Sequence, residues 1–262
     1  MPLPIAPFSA LISGEWKTGK THACLTVFNS KYVEPERILY LDNHRSTRAF
    51  PHIHRYTEKE KWGIWEVNSA DVERVDSRIE GIISAARTGK APYDIIVVDD
   101  LTELELQTFL KEESKFDGKD RRQLWGKHLD NMCQRQRRLI LGSGAAFLAT
   151  CRVGAMDDFT KPGVRDVETK QLVRPQVIRP LIRGKIGEWS PYNFDALIWQ
   201  RAERTRTATV GVWDFAPAGS IRLGHRWEYY PAWPKEVKEP NFDSLVDLIQ
   251  AAETWGKDNL GR

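Results

Sequence analysis

The chain has 262 residues, 41% hydrophobic and 29% charged, an ordinary globular balance that suits one large α/β domain or two small ones. Its formal net charge is +3, too small to signal a nucleic-acid partner by itself, so any basic surface must be local. No stretch reaches the roughly 18 apolar residues of a membrane span. Met1 to Pro7 lacks the basic start and apolar run of a secretory signal, and Cys24, Cys133 and Cys151 have no metal-ligand spacing, which suits a reducing compartment.

In chain order, Pro7 to Ser13 is an apolar run of strand length. It leads into Gly14-Glu15-Trp16-Lys17-Thr18-Gly19-Lys20-Thr21, the spacing G-x-x-x-x-G-K-[ST] of a phosphate-binding P-loop. The glycines let successive backbone N–H groups turn inward around a phosphate. Lys20 supplies a point charge, and the Thr21 hydroxyl is a hard oxygen ligand for Mg²⁺. His22 to Phe28 continues as a buried helix, so the motif sits between strand and helix, as its chemistry requires. The expected nucleotide contacts therefore run from Gly14 to His22.

Ile38 to Asp42 is a second buried strand ending in an acid, and residues 43–61 form a polar connection. Gly63 to Val67 is a third strand. Asp71 caps a helix reaching about Arg87, with Val72, Val75, Ile79, Ile82 and Ile83 on one face. Tyr93 to Asp100 holds four β-prone apolar residues followed by two acids, the pattern of a central parallel strand with a carboxylate at its C-terminal end. In P-loop enzymes such an acid holds Mg²⁺, which points to Asp99. A helix follows from Leu101 to about Glu113. Another runs from Leu124 to about Leu141, with Arg135, Arg137 and Arg138 expected on its exposed side. Ala145 to Thr150 is a buried strand. If it neighbours the Asp99 strand, Thr150 lies beside the terminal phosphate.

Residues 152–187 change character, with Arg152 at their start. From Arg174 to Lys185 there are four bases, Arg174, Arg179, Arg183 and Lys185, and no acid. Prolines at 162, 175 and 180 argue against a central strand, so a protruding loop or short hairpin is expected. Phe194 to Trp199 and Thr207 to Phe215 are strands, with Arg201, Arg204 and Arg206 between them. Ile221 to Arg226 carries Arg222 and Arg226 near the end of the sheet. Phe242 opens an amphipathic helix, and Gly256 begins a polar tail. Of the ten tryptophans, Trp62, Trp65, Trp199 and Trp213 fall in strand-like runs and are expected in the core.

Strands alternating with helices, then hairpin-like strands, predict an α/β fold: a mostly parallel sheet flanked by helices, with an antiparallel C-terminal extension. No linker interrupts the chain. It reads as one unit with a nucleotide-binding core over 1–150, a basic loop region over 152–187, and C-terminal strands and a helix over 188–262.

With these motifs in place, the sequence resembles RecA-like P-loop ATPases, especially the small phage-encoded ATPases of the AAA-domain type used in recombination and single-strand annealing. Gly14 to Thr21, Ile38 to Asp42, Tyr93 to Glu105 and Phe147 to Arg152 carry the resemblance, which spans about residues 8–250. It implies ATP and Mg²⁺ as ligands, Lys20 and Thr21 on the phosphates and metal, Asp99 on the metal, and Thr150 as a polar sensor. It implies single-stranded DNA at the loop region, where Phe159 and Trp189 are stacking candidates, assembly into a ring or filament, and a bacterial or phage-infected host cytoplasm. Such enzymes carry a Glu just after the second core strand to activate water. Here the place reads Asp42-Asn43-His44, so Asp100 and His44 are the two expectations for the hydrolytic base. Arg222 or Arg226 would act on a neighbouring subunit's nucleotide. Two other functions fit the motifs: a nucleotide-switch or loader protein for a replication partner, and a small-molecule kinase, which would also need a lid and an acceptor pocket.

Overall fold

The computed structural model describes residues 3–43, 47, 50, 63–66, 72–118, 120–157, 162–165, 172–173, 176–180, 193–205, 208–216 and 224–261. The strands are β1 (Ser9–Gly14), β2 (Ile38–Asp42), β3 (Gly63–Glu66), β4 (Ile95–Asp99), β5 (Ala146–Asp157), β6 (Val164–Arg165), β7 (Leu172–Val173), β8 (Gln176–Pro180), β9 (Ala196–Arg204), β10 (Thr209–Asp214), β11 (Gly224–His225) and β12 (Glu236–Lys238). The helices are α1 (Lys20–Leu25), α2 (Val72–Arg87), α3 (Leu101–Ser114), α4 (Arg121–Gly142) and α5 (Phe242–Leu260).

The main sheet runs β12-β10-β9-β1-β5-β4-β2-β3. From β3 to β9 every pairing is parallel, and β10 then pairs antiparallel with both β9 and β12. This is the expected mostly parallel sheet with an antiparallel extension. Its central strands β1, β2 and β4 are buried on both faces, which is why they read as largely apolar runs. Period-two alternation divides the core. Ala10, Ile12, Tyr40, Val97 and Leu148 pack on one face with α1 and α5, and Leu11, Leu39, Leu41, Ile96, Val98 and Phe147 pack on the other with α2, α3 and α4. Among the described residues no helix is long and apolar enough to cross a membrane.

Several local expectations are corrected. β5 does not stop at Thr150 but continues to Asp157, where it pairs antiparallel with β8 through Pro180. Proline is tolerated there because it terminates the pairing. β9 runs on past Trp199, so Arg201 and Arg204 lie within a strand, and Arg201 is tied to Asp214 of β10 and Glu236 of β12. β12 has no apolar alternation long enough to be visible in the sequence. The tail expected from Gly256 is helical to Leu260, and Gly256 is buried against Tyr229. Trp199 and Trp213 are buried as expected, whereas the side chains of Trp62 and Trp65 lie outside the described residues.

Arg135 is the clearest reversal. It is buried, pairing with Asp76 of α2 at 2.8 and 2.9 Å and donating to the Thr108 hydroxyl of α3. Arg137 and Arg138 are exposed, as the helical period requires. Two turns before Arg135, His128 is fully buried between Glu105 and Glu112 of α3, at 2.7 and 2.8 Å. The contact of α3 with α4 is thus ionic as well as apolar.

Candidate phosphate and metal site

The parallel topology brings the C-terminal ends of β1 and β4 beside the middle of β5, around Thr150 to Arg152, with β5 inserted between the other two. Gly14 ends β1 opposite Arg152 of β5, and Ile12 stands opposite Thr150. The turn after β1 needs its glycines. A Cβ on Gly14 would stand 2.3 Å from the Gln200 carbonyl oxygen of β9, and Gly19 has φ 89°. Lys20 Nζ turns back over this loop and donates to the carbonyls of Gly14 at 2.9 Å and Glu15 at 2.7 Å. Burial lowers the Lys20 pKa, with the charges of Asp100 and Asp99 pulling the other way.

Asp99 is the hub of the site. Its Oδ2 accepts from the Thr21 hydroxyl at 2.8 Å and from the Tyr40 hydroxyl at 3.0 Å, and its Oδ1 accepts from the Thr150 hydroxyl. Burial raises the Asp99 pKa against the hydrogen bonds from Thr150 and Thr21. Burial also drives the Tyr40 hydroxyl well above its ordinary value, and the Asp99 charge adds to this, so Tyr40 acts here as a donor. Thr21 and Asp99 offer hard oxygen donors to one point. Mg²⁺ suits such a pair, since it takes one or two carboxylates and completes its shell with phosphate and water. The donor chemistry fits that ion, and among the described residues no group of His, Cys, Asp and Glu forms an all-protein cage.

Asp100 is differently employed. Its Oδ1 caps α3 by accepting from the Glu103 backbone N–H at 2.7 Å, and its Oδ2 accepts from Arg152 Nε at 3.1 Å. His44, the other expected base, lies outside the described residues. Asp42 is buried and accepts from the Thr47 backbone and hydroxyl. A cleft of about 490 Å³ runs over the loop from Trp16 to His22 and is walled by Phe50, Asp99, Asp100 and Arg152. A second cleft of about 590 Å³ lies on the other flank of the same loop, against Gln200, Val210, Gly211, Pro240 and Asn241.

Arg226 stands elsewhere. Its backbone N–H donates to Asp195, beside the start of β9 and level with the start of β1, so it lies at the end of the sheet away from Gly14. Its guanidinium pairs with Asp195 at 3.0 Å and Glu253 at 3.7 Å and lies over Trp227. It does not reach its own phosphate loop. Of the basic segment, Arg179 lies in β8 opposite Gly154, while Arg174, Arg183 and Lys185 lie outside the described residues, as do Phe159, Trp189 and Arg222.

Sequence reasoning missed Tyr40, Gln200 and the placement of Arg152. Tyr40 reads as one more apolar residue in a buried strand. Gln200 donates from Nε2 to the Thr18 carbonyl at 3.0 Å and so ties the loop to β9. The one trace of it in the sequence is a polar residue following Leu197-Ile198-Trp199.

No protein-family model matches the chain, and no curated protein matches it. Among solved structures it is similar to a KaiC-like protein of the hyperthermophilic archaeon Pyrococcus horikoshii, at 15% identity and a TM-score of 0.43, covering 80% of this chain and 78% of that one. It is also similar to the flagellar accessory protein FlaH of Methanocaldococcus jannaschii, at 8% identity and a TM-score of 0.46, covering 89% and 84%.

Proposed function

We propose that this chain binds ATP with Mg²⁺ and hydrolyses it, as a RecA-like P-loop ATPase acting on single-stranded DNA. The observation that carries the nucleotide reading is the convergence of the Gly14–Thr21 loop, Lys20 and the Thr21–Asp99 pair on one cleft. Lys20 would leave the loop carbonyls for the phosphates and replace two neutral acceptors by a charged one. Thr21 and Asp99 would hold Mg²⁺, which neutralises charge on the phosphate oxygens. Thr150 positions Asp99 from the neighbouring strand, and Asp100, the carboxylate next to it, would orient water once Arg152 moves off its Oδ2. The cleft against Gln200 and Pro240 would take the nucleoside.

The DNA reading rests on the acid-free run from Arg174 to Lys185 and on the course of β5, which passes from Thr150 at the site into its ladder with β8 and Arg179. Backbone charge and stacking serve a single strand without sequence preference. Assembly would let Arg226 act on a neighbour's nucleotide. A cytoplasmic setting accords with the three free cysteines.

One observation favours a second reading, a nucleotide switch or loader with little turnover: Asp100 is already engaged by the α3 cap and by Arg152. Phosphate release, measured with and without single-stranded DNA, separates the two. Stimulation by DNA supports the first reading. Tight ATP binding without release supports the second, and absence of any nucleotide binding removes both.

A further inference from the structure

Arg152 follows Thr150 by two residues on β5, so both project from the same face of that strand, the face that carries α1. Its Nε lies 3.1 Å from Asp100 Oδ2 and its Nη2 lies 3.3 Å from Glu103 Oε2. Both exceed the roughly 2.7–2.9 Å of a strong charge-assisted hydrogen bond. The guanidinium carbon sits 5.3 Å from the centre of the Trp16 ring, which is 73% exposed and belongs to the phosphate loop itself. Arg152 therefore lines the same cleft as Lys20, and its contacts include two carboxylates at long range and the face of an indole.

We propose that Arg152 is a ligand of the terminal phosphate, supplied by the same chain, and that it makes the site prefer a nucleoside triphosphate to a diphosphate. The inference rests on the nucleotide reading of the site. A guanidinium is a planar fork of five donors that fits phosphate oxygens bidentately, and a phosphate carrying two charges competes well with single carboxylate oxygens at 3.1 and 3.3 Å. Trp16 keeps the guanidinium over the cleft during the exchange, since a cation is attracted to an aromatic face wherever its hydrogen bonds go. The exchange withdraws the Arg152 hydrogen bond from Asp100 Oδ2 and leaves the α3 cap on Oδ1 in place. It also acts on β5 one residue before that strand enters its ladder with β8, where Val153 faces Pro180 and Gly154 faces Arg179. The number of phosphates bound would thus be felt at β8, which carries Arg179.

The bland account of the same geometry is an ion pair that fastens the first turn of α3 to β5. The two differ in nucleotide discrimination. Calorimetric affinities for a non-hydrolysable ATP analogue and for ADP, at fixed Mg²⁺ and salt, are measured on the parent, Arg152→Ala and Glu103→Gln. Arg152→Ala is expected to weaken the triphosphate analogue about tenfold to a hundredfold, the worth of one charge-assisted hydrogen bond, with ADP bound as by the parent. Glu103→Gln removes a competing carboxylate, keeps the Asp100 cap, and is expected to raise the triphosphate preference. Equal weakening of both nucleotides by Arg152→Ala, or a ratio unchanged in both variants, overturns the proposal. Should Arg152→Ala not fold, Glu103→Gln decides alone, a raised ratio supporting the proposal and an unchanged one overturning it. A parent that binds neither nucleotide overturns the site reading and this inference with it. A parent that discriminates no better than Arg152→Ala overturns this inference alone.

Discussion

Thr150 donates its hydroxyl to Asp99 across a sequence separation of 51 residues, and the two meet because β5 lies directly beside β4. If Asp99 holds Mg²⁺ as proposed, its carboxylate must be fixed in orientation, and the flanking strand supplies a bond that does so. Thr150→Val keeps the shape and removes the donor. A buried acceptor losing one partner costs about 1–3 kcal/mol. Turnover of ATP should fall roughly tenfold to a hundredfold with the nucleotide still bound. Unchanged turnover in the purified variant would show that Asp99 needs no such anchor.

Lys20→Ala should remove productive ATP binding and leave the fold standing. Among the described residues the ammonium donates to loop carbonyls, so its loss removes hydrogen bonds that water can replace. Thermal unfolding should be nearly that of the parent, while a fluorescent ATP analogue no longer binds. Retained affinity would end the assignment of this loop to phosphate.

Gln200→Leu should loosen the loop without touching its motif. The amide tie to Thr18 is lost, at about 1 kcal/mol for a net hydrogen bond. Nucleotide affinity should weaken several-fold with wild-type Mg²⁺ dependence, because Thr21 and Asp99 are not disturbed. A change in metal dependence instead would place Gln200 in a different role.

His128 should make stability depend on pH. Burial disfavours its charged form, but the hydrogen bonds and charges of Glu105 and Glu112 outweigh this, and its pKa is raised above 6.5. The same contact, with Asn131 and the Arg135 charge, takes Glu112 below 4.5 against the opposing effect of burial. The contribution of His128 is complete below pH 6.5 and lost as pH rises through its raised folded value. That of Glu112 is complete above pH 4.5 and lost as pH falls through its lowered folded value. Breaking a buried pair from one side costs about 3–5 kcal/mol. His128→Gln should therefore unfold at lower temperature than the parent near pH 6, with the gap narrowing at pH 9. A gap that is constant or widens with pH would mean that His128 is neutral in the folded protein.

Arg226 pairs with Asp195 and Glu253 in its own chain and is 43% exposed at its side chain, so Arg226→Ala should cost little stability. If it reaches a neighbour's nucleotide, mixing inactive Lys20→Ala protein with inactive Arg226→Ala protein should restore part of the ATPase rate at mixed interfaces. Arg226→Ala protein with parental activity, or mixtures with none, would confine this arginine to its two ion pairs.

The sequence alone was enough for the phosphate loop, the apolar strands, the acids closing them and the fold class, because each is a local pattern: a fixed spacing of glycines, or a run of β-prone residues buried on both faces. Helix faces were legible where the period governs, as at Arg137 and Arg138. They were not legible at Arg135, which is buried because α2 and α3 present Asp76 and Thr108 to it, and no period along α4 encodes what stands opposite. The same reason governs the site. Asp99 and Thr150 could be named from strand ends, but strand order decided that they touch. It also decided that Tyr40 joins them, that Gln200 lies against the loop, and that Arg152 faces Asp100 rather than solvent. Those relations are between elements far apart in the chain, set by which strands pair and in what register, and tertiary packing alone fixes them.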